Sequence, residues 1–178
     1  MENIVVSDTS VLINFLKIDR LDLLDKSSFN FLITDHVRSE ISDSFPDQFQ
    51  RFQVGLQKNI LKEISVTESA ELELFASLLK KGHLGTGECS AISVAIHRKY
   101  TLAIDDHVAI KSALLLAPYI PVLRTQDLMV QMIQEDILNI AGADLILHEW
   151  ATKHRFKLKI KSFSEVFLNK KDQAMAIF

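Results

Sequence analysis

One cysteine, three prolines and five glycines are all that this 178-residue chain holds of the residues that cross-link, stiffen or interrupt a fold. The lone Cys89 excludes an intramolecular disulfide framework and a cysteine-rich zinc site. With so little proline and glycine there is no linker at which to divide the chain, and no repeat or low-complexity stretch is present. No apolar run approaches the roughly 18 residues of a membrane helix. The N-terminus carries acidic Glu2 and no basic stretch ahead of an apolar one, so no signal peptide is visible. A soluble cytoplasmic protein with no membrane partner is the expectation. Charge excess is small as well. A formal net charge of -3 gives no global pull toward nucleic acid, although a local basic rim or a bound cation can reverse the field.

What the chain does have is apolar residues, 48% of the total, enough for a sizeable core in one domain of ordinary length. Ile4, Val5 and Val6 read as a short buried strand over 3–7, and Val11, Leu12, Phe15 and Leu16 then recur at helical spacing. The alternation continues. Residues 21–24 form a further turn, and 29–33 a second strand. Thr34 caps a helix carrying Val37 and Ile41. Phe45, Phe49, Phe52 and Leu56 make a helical stripe. A short strand is expected over 60–66, then a helix over 68–79 with Leu72, Phe75, Ala76 and Leu79 on one face. A loop over 82–87 leads to a helix capped by Thr86 and ending near Arg98. Strands over 101–104 and 119–123 follow, with helices to Leu116, over 125–135 and over 140–152. Strands alternating with helices predict an α/β domain with a mostly parallel sheet. The domain is expected to span 1–178, with a C-terminal extension from about 153.

Ligands of parallel α/β sheets bind outside the carboxyl ends of the strands. Asp8 follows the first strand, and Asp105 and Asp106 follow the strand at 101–104. Glu40 lies in the helix after the second strand, and Glu88 in the first turn of the helix opened by Gly85-Thr86-Gly87. Each has a structural alternative: Glu88 suits the positive end of its helix, Glu40 a solvated face, Asp106 a helix N-cap. Together they describe one acidic pocket. Packed carboxylates raise one another's pKa, and a cation relieves the repulsion. Oxygen-only ligands suit Mg²⁺ or Mn²⁺.

Three stretches resemble the PIN-domain nucleases, including VapC-type toxins. They are Val5-Val6-Ser7-Asp8-Thr9-Ser10-Val11-Leu12-Ile13, Gly85-Thr86-Gly87-Glu88-Cys89-Ser90-Ala91-Ile92 and Thr101-Leu102-Ala103-Ile104-Asp105-Asp106. Val122-Leu123-Arg124-Thr125-Gln126-Asp127-Leu128 is similar to the last strand-to-helix turn of that group. The resemblance implies a three-layer α/β/α sandwich whose acids bind Mg²⁺ or Mn²⁺ to cut single-stranded RNA. Carried over by position, Asp8, Glu40, Glu88 and Asp105 are the catalytic set. Asp106 competes with Asp105 because the motif registers on either, and Asp8, Glu88, Asp105 and Asp106 are the metal ligands. Many members have aspartate where this chain has Glu88. Ser10 and Thr9 are candidates for positioning water or phosphate, with helix capping as the other role for Thr9. The resemblance further implies the toxin of a toxin–antitoxin pair, with an antitoxin protein and a homodimer. Dimer surface is sought in the Phe45 stripe and in Phe163, Val166 and Phe167.

Competing functions use other patterns. A response-regulator-like domain needs its acid pair after the first strand, whereas here the pair comes later. A dehalogenase-like phosphatase needs an aspartate where Ser10 stands. A non-catalytic PIN-like module that binds RNA or protein is the remaining alternative. Cys89 reads as a packed thiol, and the six histidines show no metal-ligand spacing. His107, after the acid pair, reads as a surface residue. The segment 153–161 alternates basic and apolar residues, which predicts an edge strand guarded by lysines or a surface that contacts RNA. Ser162-Phe163-Ser164-Glu165 resembles a capping box opening a terminal helix through Leu168.

Overall fold

Ile4 to Ser7 become steadily more buried along β1 (Asn3–Ser7), as expected of a strand covered on both faces. The computed structural model describes residues 3–41 and 44–167. β1 pairs in parallel with β2 (Phe29–Thr34) on one side and β4 (Thr101–Ala103) on the other. β3 (Leu61–Ile64) adds to β2, and β5 (Val122–Leu123) to β4, giving the order β3-β2-β1-β4-β5, parallel throughout. Parallel neighbours need crossovers long enough to hold a helix. Those in the first half are α1 (Thr9–Lys17), α2 (Leu21–Lys26), α3 (Asp35–Glu40), α4 (Pro46–Gln57) and α5 (Ser69–Lys81). Then come α6 (Thr86–Arg98), α7 (His107–Leu116), α8 (Thr125–Gln134) and α9 (Ile140–Lys153). The fold is the expected three-layer α/β/α sandwich around a parallel sheet.

The chain divides into two compact units, Met1–Thr125, which holds the whole sheet, and Gln126–Phe178. In the first unit α6 lies against β1, β2 and β4, while α3, α5 and α7 pack on α6. Cys89, Ala91, Ile92, Val94 and Ala95 of α6 are fully buried. A helix apolar on every side belongs in a core. Its two buried serines are both satisfied: Ser90 donates to Gly87 O one turn back, and Ser93 donates across to Glu71 O of α5. In the second unit Trp150 and Phe163 are fully buried.

Several expectations need correction. Gly85, not Thr86, is the N-cap of α6, because Glu88 at N3 reaches back to accept from the Gly85 amide at 2.9 Å. Leu72 and Leu79 are exposed, and the buried positions of α5 are Glu71 and Leu78. Burying Glu71 is possible because Arg98 donates to both its oxygens, at 2.6 and 3.0 Å, and the Thr67 and Glu68 amides donate as well. β5 starts at Val122, leaving Tyr119 exposed. The segment 155–160 enters no strand, so it is not a sheet edge, although its burial alternates as period two requires. The phenylalanine stripe is split: Phe52 is buried, Phe49 and Leu56 are half-buried, and Phe45 is exposed. A terminal helical turn forms at 163–167, with Phe163 in the core and Val166 and Phe167 half-buried. Leu168 lies outside the described residues.

Candidate metal and nuclease site

β1 and β4 are neighbours, so Asp8 and the Asp105-Asp106 pair leave the sheet side by side at its carboxyl edge. Asp8 is the N-cap of α1: its Oδ2 accepts from the Ser10 amide at 3.0 Å. The capping role weighed for Thr9 therefore belongs to Asp8. The Asp8 side chain is buried, and its Oδ1 has no hydrogen-bond partner among the described residues. Burial pushes its carboxyl above the usual value of 3.8, the contacts with Ser10 and Thr9 pull it back in part, and the charge of Glu40 pushes it further up.

Glu40, at the end of α3, is drawn to the start of α6. Thr9 Oγ1 donates to its Oε2 and the Gly87 amide to its Oε1, both at 2.6 Å. Only glycine leaves this approach open, since a Cβ at residue 87 would lie 2.5 Å from Glu40 Oε2. Glu88 sits one residue on, half-buried, its Oε2 held by the Gly85 amide. Burial raises its carboxyl above the usual 4.5, the Gly85 amide opposes this, and the charges of Asp8, Asp106 and Glu40 raise it again. Glu88 thus lies within reach of the charges of Asp8, Glu40 and Asp106, and Asp8 within reach of that of Glu40.

The Asp105-Asp106 pair divides in two. Asp106 caps α7, its Oδ1 accepting from the Val108 and Ala109 amides at 2.8 and 2.9 Å. Asp105 is clamped elsewhere. Its Oδ1 accepts from the Thr125 amide at 2.9 Å, and its Oδ2 from Thr125 Oγ1 at 2.6 Å and Asn14 Nδ2 at 3.1 Å. Arg124 Nε stands 4.0 Å away. The Asp105 amide donates to Ser10 Oγ at 3.1 Å, which ties this half of the edge to Asp8 through Ser10. Asn14 and Thr125, both buried, were not singled out by the sequence reading. A polar residue at a core-facing position of α1 was the available sign of Asn14.

Among the described residues, no three His, Cys, Asp or Glu side chains are drawn together tightly enough to hold an ion. What fits a divalent cation is the donor chemistry: carboxylates throughout, with one buried oxygen unpartnered. Cys89, next to Glu88 in the chain, is fully buried, and its thiol is pushed up to about 11 by burial and then by the charge of Glu88. A cleft of about 540 Å³ lined by Asp19, Asp22, Asp25, Asp47 and Arg51 contains none of the predicted site residues.

Several solved structures resemble the chain. A PilT N-terminus domain protein from the hyperthermophilic archaeon Sulfolobus solfataricus P2 matches at 19% identity and TM-score 0.49, covering 70% of this chain and 89% of that one. VapBC2 from Rickettsia felis, bound to a DNA fragment from its promoter, matches at 20% and 0.48, covering 68% and 98%. The PIN domain endonuclease Utp24 matches at 17% and 0.46, covering 68% and 84%. No curated protein sequence matches. The model of the family DUF3368, described as a PIN domain, matches residues 4–167, nearly the whole described chain, and the protein belongs to that family.

Proposed function

We propose that the protein is a divalent-metal-dependent endoribonuclease that hydrolyses phosphodiester bonds of single-stranded RNA. Asp8 carries the reading. It is a buried carboxylate at the end of a parallel strand, with one oxygen unpartnered and other carboxylates as charged neighbours. A buried charge so placed is costly unless something neutralises it. Membership of the PIN-domain family, a nuclease-type fold, points the same way.

Asp8, Glu88, Asp105 and Asp106 would hold Mg²⁺ or Mn²⁺, whose preference is for oxygen donors. The bound ion would lower the pKa of a water and offset charge gathering at phosphorus. Around it the chain does the positioning. Asn14 and Thr125 fix the Asp105 carboxylate, and Thr9 and the Gly87 amide fix Glu40, which would accept a proton from water. Ser10 Oγ accepts from the Asp105 amide, and its hydroxyl lies against the Asp8 carboxylate, so it holds the two acids in register. No covalent protein nucleophile is required. The family resemblance extends the proposal to a cytoplasmic toxin with an antitoxin partner and a second copy of itself. No helix among the described residues is long and apolar enough to cross a membrane.

The test is cleavage of single-stranded RNA with Mg²⁺ or Mn²⁺, with and without excess chelator. The reading expects cleavage that the chelator abolishes. One observation favours a second reading, the non-catalytic module: among the described residues, three ligands are not drawn together in advance. RNA bound but uncut in either metal would select it.

A further inference from the structure

The segment 153–161 holds five of the chain's 20 Lys and Arg and none of its 23 Asp and Glu. In an acidic protein that is a strong local asymmetry. The structure sorts it by side. Arg155, Lys157, Lys159 and Lys161 are exposed, and Phe156, Leu158 and Ile160 between them are half-buried. Because 155–160 joins no strand, the lysines do not guard a sheet edge. None of these four cations forms an ion pair among the described residues, whereas Lys153 pairs with Glu149.

Both ends of the segment are tied down. The Phe156 amide donates to Trp150 O at 3.1 Å, and the two rings meet edge to face at 5.4 Å. At the other end Asp144 accepts from Ser162 Oγ at 2.7 Å and from the Phe163 amide at 2.8 Å. The ribbon is therefore ordered before any partner arrives, which removes part of the entropy cost of binding. The cations recur at every second residue, along a backbone that is left-handed at Arg155 (φ 54°) and bends at Lys159. Beside the ribbon runs a cleft of about 320 Å³, walled by Leu147, His148 and Ala151 of α9 and by Lys157, Leu158 and Ile160. Its one carboxylate, Asp144, is taken up by Ser162 and Phe163.

We infer that residues 155–161 form a docking ribbon for single-stranded nucleic acid, with the exposed cations on its phosphates and the adjoining cleft on a base. A charged track beside a surface that accepts base faces is how unpaired strands are held without sequence preference. A bilayer fits less well, because the ribbon's apolar side chains turn inward. As a substrate-docking surface the ribbon rests on the ribonuclease reading; as a binding surface it stands on its own charge and geometry.

The experiment is fluorescence anisotropy of the full chain with a short labelled oligouridylate in excess chelator, over a range of salt. In Lys157→Gln/Lys159→Gln/Lys161→Gln the affinity should fall at least about tenfold, and the slope of log K against log salt should become shallower by about 2, near 0.7 per lost phosphate contact. Lys80→Gln/Lys81→Gln, on α5, should change neither. Unchanged affinity and slope in the triple variant overturns the inference. So does an equal loss in the α5 control, which would reduce the effect to net charge. Polyglutamate that displaces the RNA as well as unlabelled oligouridylate does would reassign the ribbon to an acidic protein and also overturn it. With Mn²⁺ restored, the triple variant should show a raised KM and an unchanged kcat. Wild type that binds through the ribbon and cuts nothing in Mg²⁺ or Mn²⁺ supports the ribbon and rejects the nuclease.

Discussion

Glu71 and Asp8 are both buried carboxylates, 0% and 2% exposed, and they are provided for in opposite ways. Glu71 has an Arg98 guanidinium on both oxygens and two backbone amides besides. Burial alone would raise its pKa, but these donors outweigh burial and hold it below the usual 4.5. Asp8 has contacts with Ser10 and Thr9 but no cationic partner, an unpartnered oxygen and carboxylate neighbours, and burial leaves its pKa raised. Burial therefore does not separate a structural acid from a functional one. What separates them is whether the protein itself supplies the opposing charge. For Glu71 it does. For Asp8 the described residues supply no opposing charge, and on the proposed reading a hard cation supplies it.

The contrast can be broken from either side. The largest effect is expected at Asp8. Asp8→Asn keeps size and capping oxygen but removes the charge that a hard cation needs, and RNA cleavage should fall by about a thousandfold or more. Its melting temperature in chelator should stay level or rise, since a poorly solvated carboxylate is gone. Full cleavage by folded Asp8→Asn would place the essential charge elsewhere. Glu71→Gln should do the reverse. It leaves Arg98 without its counter-charge, which for a buried pair costs about 3 kcal/mol. Urea denaturation should show that loss, with kcat per folded molecule unchanged.

A smaller effect separates the two by pH, in chelator. Glu71 titrates lower in the folded protein than its ordinary 4.5, so its contribution is complete above that value and is lost as pH falls through the folded pKa. Asp8 titrates higher than its ordinary 3.8, so the cost of burying its charge is present above the raised pKa and relieved as pH falls through it. Glu71→Gln should therefore flatten the acid limb of the stability curve, and Asp8→Asn should steepen it. Denaturation curves collected across the acid range measure both slopes, and equal slopes in the two variants would erase the distinction.

The same two acids mark how far the sequence could be read. Asp8 was legible because its meaning is local: three apolar residues, an acid, then helical spacing. Asp105 and Asp106 were legible for the same reason. Glu71 was not, because in sequence it is one of three glutamates at the start of an amphipathic helix, and its arginine lies 27 residues away. Its burial turned α5 so that Leu72 and Leu79 face solvent. The clamp on Asp105 was hidden in the same manner, since Asn14 and Thr125 reach it from 91 and 20 residues away. The basic ribbon shows a different limit. Period two reported which way its side chains point and said nothing about whether its backbone pairs.

The central claim is that Asp8 awaits a cation, and the most direct measurement is the thermal melt of wild type and Asp8→Asn over a titration of Mn²⁺. Binding to the folded state raises stability in proportion to the logarithm of ligand over Kd. The account predicts a melting temperature that climbs with Mn²⁺ in wild type and stays flat in Asp8→Asn. The same climb in both proteins, or none in wild type, would contradict it.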